Sequence, residues 1–92
     1  MTPSVGDIIL VPVKAEQGPF SDECLISFDS LDGPISGFIN SGEVERRGGK
    51  TFIRARVLKV GANSIAVRLH GSFFTTTGLA HIGRDTPFLR AA

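Results

Sequence analysis

Residues 51–69 read TFIRARVLKVGANSIAVRL, and the alternation within them decides the fold. At period two, Ile53, Ala55 and Val57 point one way, while Phe52, Arg54 and Arg56 point the other. β-Branched and aromatic residues fill the run, as a half-buried strand prefers. The pattern breaks at Gly61-Ala62-Asn63, where Gly and Asn tolerate positive φ, and resumes with Ile65, Val67 and Leu69 as the apolar set. Two such strands around a short break make a β-hairpin with a dry face and a wet face. Register along the apolar sets gathers Arg54, Arg56 and Arg68 beside Phe52 on the wet face, with His70 following. A slip of one residue would bury the arginines, so the register is expected to be firmly held.

Working outward, residues 5–13 (VGDIILVPV) read as a first strand, with Pro12 at an edge, a bulge or the strand's end because it has no backbone donor. Residues 14–23 read as a polar loop with a Gly18-Pro19 turn and an exposed Phe20. Residues 24–28 form a second strand with Cys24, Ile26 and Phe28 on one side. Asp32-Gly33 is a hairpin signal, and residues 35–40 (ISGFIN) make a third strand in which Gly37 marks a bulge or a close backbone approach. Residues 41–49 resemble a single helical turn, N-capped by Asn40 with Glu43 at capping-box spacing and ended by Gly48. After the central hairpin, SFFTTT (72–77) suits a fifth strand, and GLAHI (78–82) continues it or forms a short sixth. Residues 84–92 lack a period and are expected to be loosely held, with Phe88 and Leu89 free to tuck back.

Ninety-two residues, 41% hydrophobic and 21% charged, fit one domain over residues 1–92 and exclude default disorder. Eleven Gly, five Pro and the absence of a long 3.6-period run favour many short strands and turns. No apolar stretch approaches the ~20 residues of a spanning helix, and MTPSVGD lacks a signal peptide's features, so a cytoplasmic protein with no membrane role is expected. The single Cys24 sits in an apolar run and reads as a small buried hydrophobe. Charge is lopsided. Residues 1–45 carry eight acids against Lys14, and residues 46–92 carry nine bases against Asp85. Such asymmetry signals an anionic partner or pairing of the acidic half with the basic half across the sheet, and sequence leaves both open.

Catalytic and metal signatures are missing. Gly49-Lys50-Thr51 copies the end of a phosphate-binding loop, but the required earlier glycine is replaced by Val44. His70, His81 and Cys24 show no ligand spacing, so neither a metal nor another cofactor is expected. No nucleophile elbow or paired catalytic acids occur, and a non-enzymatic role follows. The remaining constellation is Phe52, Arg54, Arg56 and Arg68 with His70. Arginine forks phosphates and stacks on bases, and phenylalanine offers a stacking platform.

Residues 6–69 also resemble the ribosomal S-one-type OB-fold RNA-binding domain. GDIILVPV is similar to its opening strand, CLISF to its second, GFINSGEV to its strand-plus-turn, and IRARVLKV with SIAVRL to its closing pair. The spacer of residues 45–50 is shorter than that pattern, and residues after Leu69 have no place in it. The resemblance implies a five-stranded Greek-key barrel binding single-stranded RNA, with Phe28 and Phe38 as matched stacking positions. A Src-homology-type small barrel suits the strand count equally. GDIILV also looks like the first strand of toxin-type endoribonucleases, whose catalytic arginine context is not visible here. The expectation is thus an all-β, OB-like small barrel of five or six strands that binds single-stranded RNA or DNA through Phe52, Arg54, Arg56, Arg68, Phe28 and Phe38. The alternative is a self-assembly or protein–protein interaction domain whose acidic and basic halves meet in a homo-oligomer or with an acidic partner.

Overall fold

A computed structural model describes residues 2–69, 72–73 and 78–90. Among the described residues ten strands run in chain order: β1 (Ile8–Pro12), β2 (Lys14–Gln17), β3 (Glu23–Ser30), β4 (Gly33–Asn40), β5 (Val44–Arg47), β6 (Lys50–Val60), β7 (Ser64–Leu69), β8 (Ser72–Phe73), β9 (Leu79–Gly83) and β10 (Leu89–Arg90). They form two antiparallel sheets. The first has the order β10-β1-β6-β7-β9, with β5 pairing β6, and the second has the order β2-β3-β4-β8. No α-helix occurs among the described residues, and none of their helices is long and apolar enough to cross a membrane.

The two sheets share one core. Ile9, Val11, Ile53, Ala55, Val57, Ile65 and Val67 enter it from the first sheet, and Cys24, Ile26, Ile35 and Ile39 from the second. Each fully buried aliphatic side chain contributes roughly 1.5–3 kcal/mol, so this cluster supplies the main drive to fold. The chain passes between sheets just after Pro12. Pro12 faces Phe52 in a non-hydrogen-bonded pair, so the β1–β6 ladder loses no bond to its missing donor; the Val13 N–H donates to the Thr51 carbonyl at 3.0 Å, and Lys14 then pairs with Ser27 in the second sheet. At the other side, the Leu31 N–H of the β3–β4 turn donates to the His81 carbonyl of β9 at 2.8 Å.

The organising hairpin forms with the expected dry face. Ile53, Ala55, Val57, Ile65, Val67 and Leu69 are all buried. Its break works differently from the sequence reading: among the described residues only glycines have positive φ, and Gly61 is not one of them. The Gly61 N–H instead donates to the Ser64 carbonyl at 2.8 Å.

Elsewhere the sequence reading needs correction. Residues 14–17 are strand β2 rather than loop, because the chain that leaves β1 still finds a partner in β3. Asn40 does cap a turn, its Oδ1 accepting from the Gly42 N–H at 2.8 Å, but the 3-10 turn covers only Ser41–Glu43. Val44–Arg47 then extends as β5, and Gly48 and Gly49, at φ 57° and 78°, turn it back into β6. Gly37 sits in regular register with Ile26, without a bulge. GLAHI forms its own strand on β7, and of SFFTTT only Ser72–Phe73 is described, as a short strand on β4. The expected loose end is tied down at least to Arg90. Phe88 is 8% exposed in the core, and Leu89–Arg90 pairs with β1.

Candidate nucleic-acid interface

Strand register places the arginines. On the outer face of the first sheet, Ile8, Arg56, Arg68 and Leu79 lie opposite one another across β1, β6, β7 and β9. Arg56 and Arg68 are therefore direct cross-strand neighbours, with Cβ atoms roughly 5 Å apart, and like charges in that relation repel. Both are exposed. Leu10 faces Arg54 in the next row, and Pro12 and Glu45 flank Phe52 in the one after.

A bulge adds a cation that period two would have hidden. The β6–β7 register shifts between Val57 and Lys59, so Val57 stays inward while Lys59 pairs with Ala66 on the outer face. Arg47 pairs with Lys50 on the same side. Six cations, Arg47, Lys50, Arg54, Arg56, Lys59 and Arg68, thus share this face with the carboxylate of Glu45, and Asp32 reaches its β9 edge through His81, which pairs with Ala66 on the same side. The outer face of the second sheet is the reverse: Glu16, Glu23 and Asp29 stand there against Lys14. The charge split between the halves of the sequence has become a split between two faces that turn away from one core.

Glu45 occupies part of the basic face. Arg54 Nε and Nη2 donate to its Oε1 at 3.0 and 2.7 Å, and Arg47 Nη2 reaches its Oε2 at 3.2 Å. The hydrogen bond from Arg54 is the largest influence on the Glu45 carboxyl; desolvation opposes it, and the charges of Arg54 and Arg47 add to it, so the group is held below its ordinary value of 4.5. Among the described residues, no ion pair or side-chain hydrogen bond engages Arg56, Lys59 or Arg68.

A depressed carboxylate stabilises the fold above its unfolded value, and that contribution fades as pH falls through the folded value. The pair is solvent-exposed, so its contribution is small and screened by salt. On acidification from about pH 6 to about pH 3 at low salt, the parent is therefore expected to lose slightly more melting temperature than Glu45→Gln. Circular dichroism melts check this. Parallel curves would show that Arg54 is not held.

The aromatics do not join the arginines as expected. Phe52 is on their side but only 2% exposed, and it lies with the fully buried Leu10 outside the main core cluster. Its ring has no open face on which a base could stack. Phe28 points inward against the core and lines a cleft of about 450 Å³ with Pro12, Val13, Lys14 and Pro34. Phe38 points outward opposite Leu25 on the second sheet, so Phe28 and Phe38 do not share a face either. His70 lies outside the described residues. Lys59 and Lys50 were missed by the sequence reading. The signal was there: a lysine two positions after Val57, in the dry phase, demands a change of phase.

Asp32 meets His81, Oδ2 to Nδ1, at 2.7 Å, and Arg90 approaches Asp7 at 3.8 Å. Cys24 is buried and free, and no group of three metal-ligating side chains occurs among the described residues. No protein-family model, characterised protein or solved structure matches this chain.

Proposed function

We propose that this chain is a non-enzymatic nucleic-acid-binding module that holds single-stranded RNA on the outer face of its first sheet. The observation that carries the reading is the exposed Arg56–Arg68 pair, joined by Lys59, with no carboxylate engaging it among the described residues. Opposed arginines cost stability unless an anion lies between them, and a polyphosphate backbone supplies a row of such anions. Arg54 is a further contact, shared with Glu45. With Phe52 buried, affinity comes from phosphate contacts rather than base stacking, so sequence preference is low.

The reading includes an OB-like small barrel acting in the cytoplasm. In its support, the first strand bends from one sheet into the other, β3 and β4 follow as a hairpin, and β6 returns to pair with β1. Phe28 and Phe38, the stacking positions implied by the S-one-type resemblance, are on other surfaces and belong to the reading only if RNA wraps beyond the basic face.

Titration with short fluorescent RNA and DNA oligonucleotides at several salt concentrations tests it. Micromolar binding is expected, with log K falling linearly against log salt at a slope of about −0.7 per phosphate neutralised on a single strand. Absence of binding at low salt would remove the proposal.

A further inference from the structure

We propose that the basic outer face of the first sheet docks on the acidic outer face of the second sheet of another copy of this chain, forming a head-to-tail, salt-sensitive assembly. The inference stands on the charges of the two faces and does not need the nucleic-acid reading. Within one molecule Glu45, Asp32 and Asp7 engage Arg54 and Arg47, His81 and Arg90, but among the described residues no carboxylate engages Arg56, Lys59 or Arg68, and the acidic outer face turns away across the core. A second copy can supply that carboxylate. On the acidic face Glu16 lies opposite Leu25, Asp29 is exposed two rows further along, and Leu25 itself is half-buried at the centre. On the basic face, Arg56 and Arg68 are bordered by the half-buried Ile8 and the exposed Leu79. Carboxylates from one copy would relieve the Arg56–Arg68 repulsion in the next, while the leucines add some apolar contact.

The contact is heterologous, so an open assembly of any length keeps one unsatisfied face of each sign at its ends, and growth continues past a dimer until a ring closes. It is also weak. A few exposed ion pairs with modest apolar burial place association no tighter than about 0.1–1 mM. Shortening the Debye length from about 30 Å at 0.01 M salt to about 10 Å at 0.1 M should largely dissolve it.

The experiment is sedimentation with multi-angle light scattering on the parent and on two charge-reversed variants. One is Arg56→Glu with Arg68→Glu, which removes the arginine pair and leaves four cations against three carboxylates on the first-sheet face. The other is Glu16→Lys with Asp29→Lys, which makes both faces basic. For the parent at low salt, weight-average mass should climb with concentration past about twice the monomer mass and return to 9.8 kDa at high salt. Each variant alone should stay at monomer mass, and an equimolar mixture should associate again. A parent that stays monomeric at low salt overturns the proposal, as does a mixture that fails to associate although both variants retain the parent's circular dichroism. Persistence of the parent's assembly in either variant alone overturns it too.

Discussion

Val57→Asp is expected to abolish the folded state. The Val57 side chain is 1% exposed inside the cluster that joins the two sheets. Its backbone also anchors the entry to β1, donating to the Asp7 carbonyl at 2.9 Å and accepting from the Gly6 N–H at 2.8 Å. The side chain therefore cannot swing out to water without tearing the sheet edge. An aspartate there loses the valine's burial and either carries an unpaired charge in an apolar medium or takes up a proton, and both alternatives are costly. The loss should exceed about 4 kcal/mol, against a total stability for a domain of this size on the order of 5–14 kcal/mol. With no tryptophan or tyrosine in the chain, far-ultraviolet circular dichroism or amide spectra must report the result, since intrinsic fluorescence is of little use. Arg56→Asp, one residue earlier, is the control. It points outward and turns a repulsive cross-strand pair with Arg68 into an attractive one, so it should fold. Equal folding by both variants would mean that the faces are reversed.

That contrast marks what could be read from the sequence. The inward set of the hairpin was legible because three aliphatics per strand at period two leave a single way to bury them. The capping role of Asn40 was legible because its amide lies two residues before an orphan N–H. The depth of Phe52 was not legible: alternation says which side a residue takes, and its burial depends on Pro12 and Glu45, brought beside it from 40 and 7 residues away. Strand β2 was hidden for a related reason. Lys-Ala-Glu-Gln has little strand propensity, and only the continuous β1–β2 path holds it against β3. Nor could the sequence say which face each charge takes, because the Leu58 bulge, and with it the outward turn of Lys59, is a property of the β6–β7 pairing.

The paired substitution Arg56→Ala with Arg68→Ala should weaken oligonucleotide binding and leave stability intact or slightly improved. Those two signs are what separate a binding role from a structural one. If the arginines served the fold, removing them would lower the melting temperature. Because they oppose each other on an exposed face, their loss should instead gain about 0.2–1 kcal/mol. For a phosphate ligand, two charge-assisted contacts of roughly 1–2 kcal/mol each are lost, which is on the order of a hundredfold in affinity at low salt. The salt slope should flatten by about 1.4, two phosphates at 0.7 apiece. Arg54→Ala should cost less, since Glu45 already engages that guanidinium through two hydrogen bonds. Phe38→Ala, on the outer face of the other sheet, should change nothing. Should Phe38→Ala abolish binding while the double arginine variant binds like the parent with an unchanged slope, the interface lies on the second sheet, and the basic face needs another explanation.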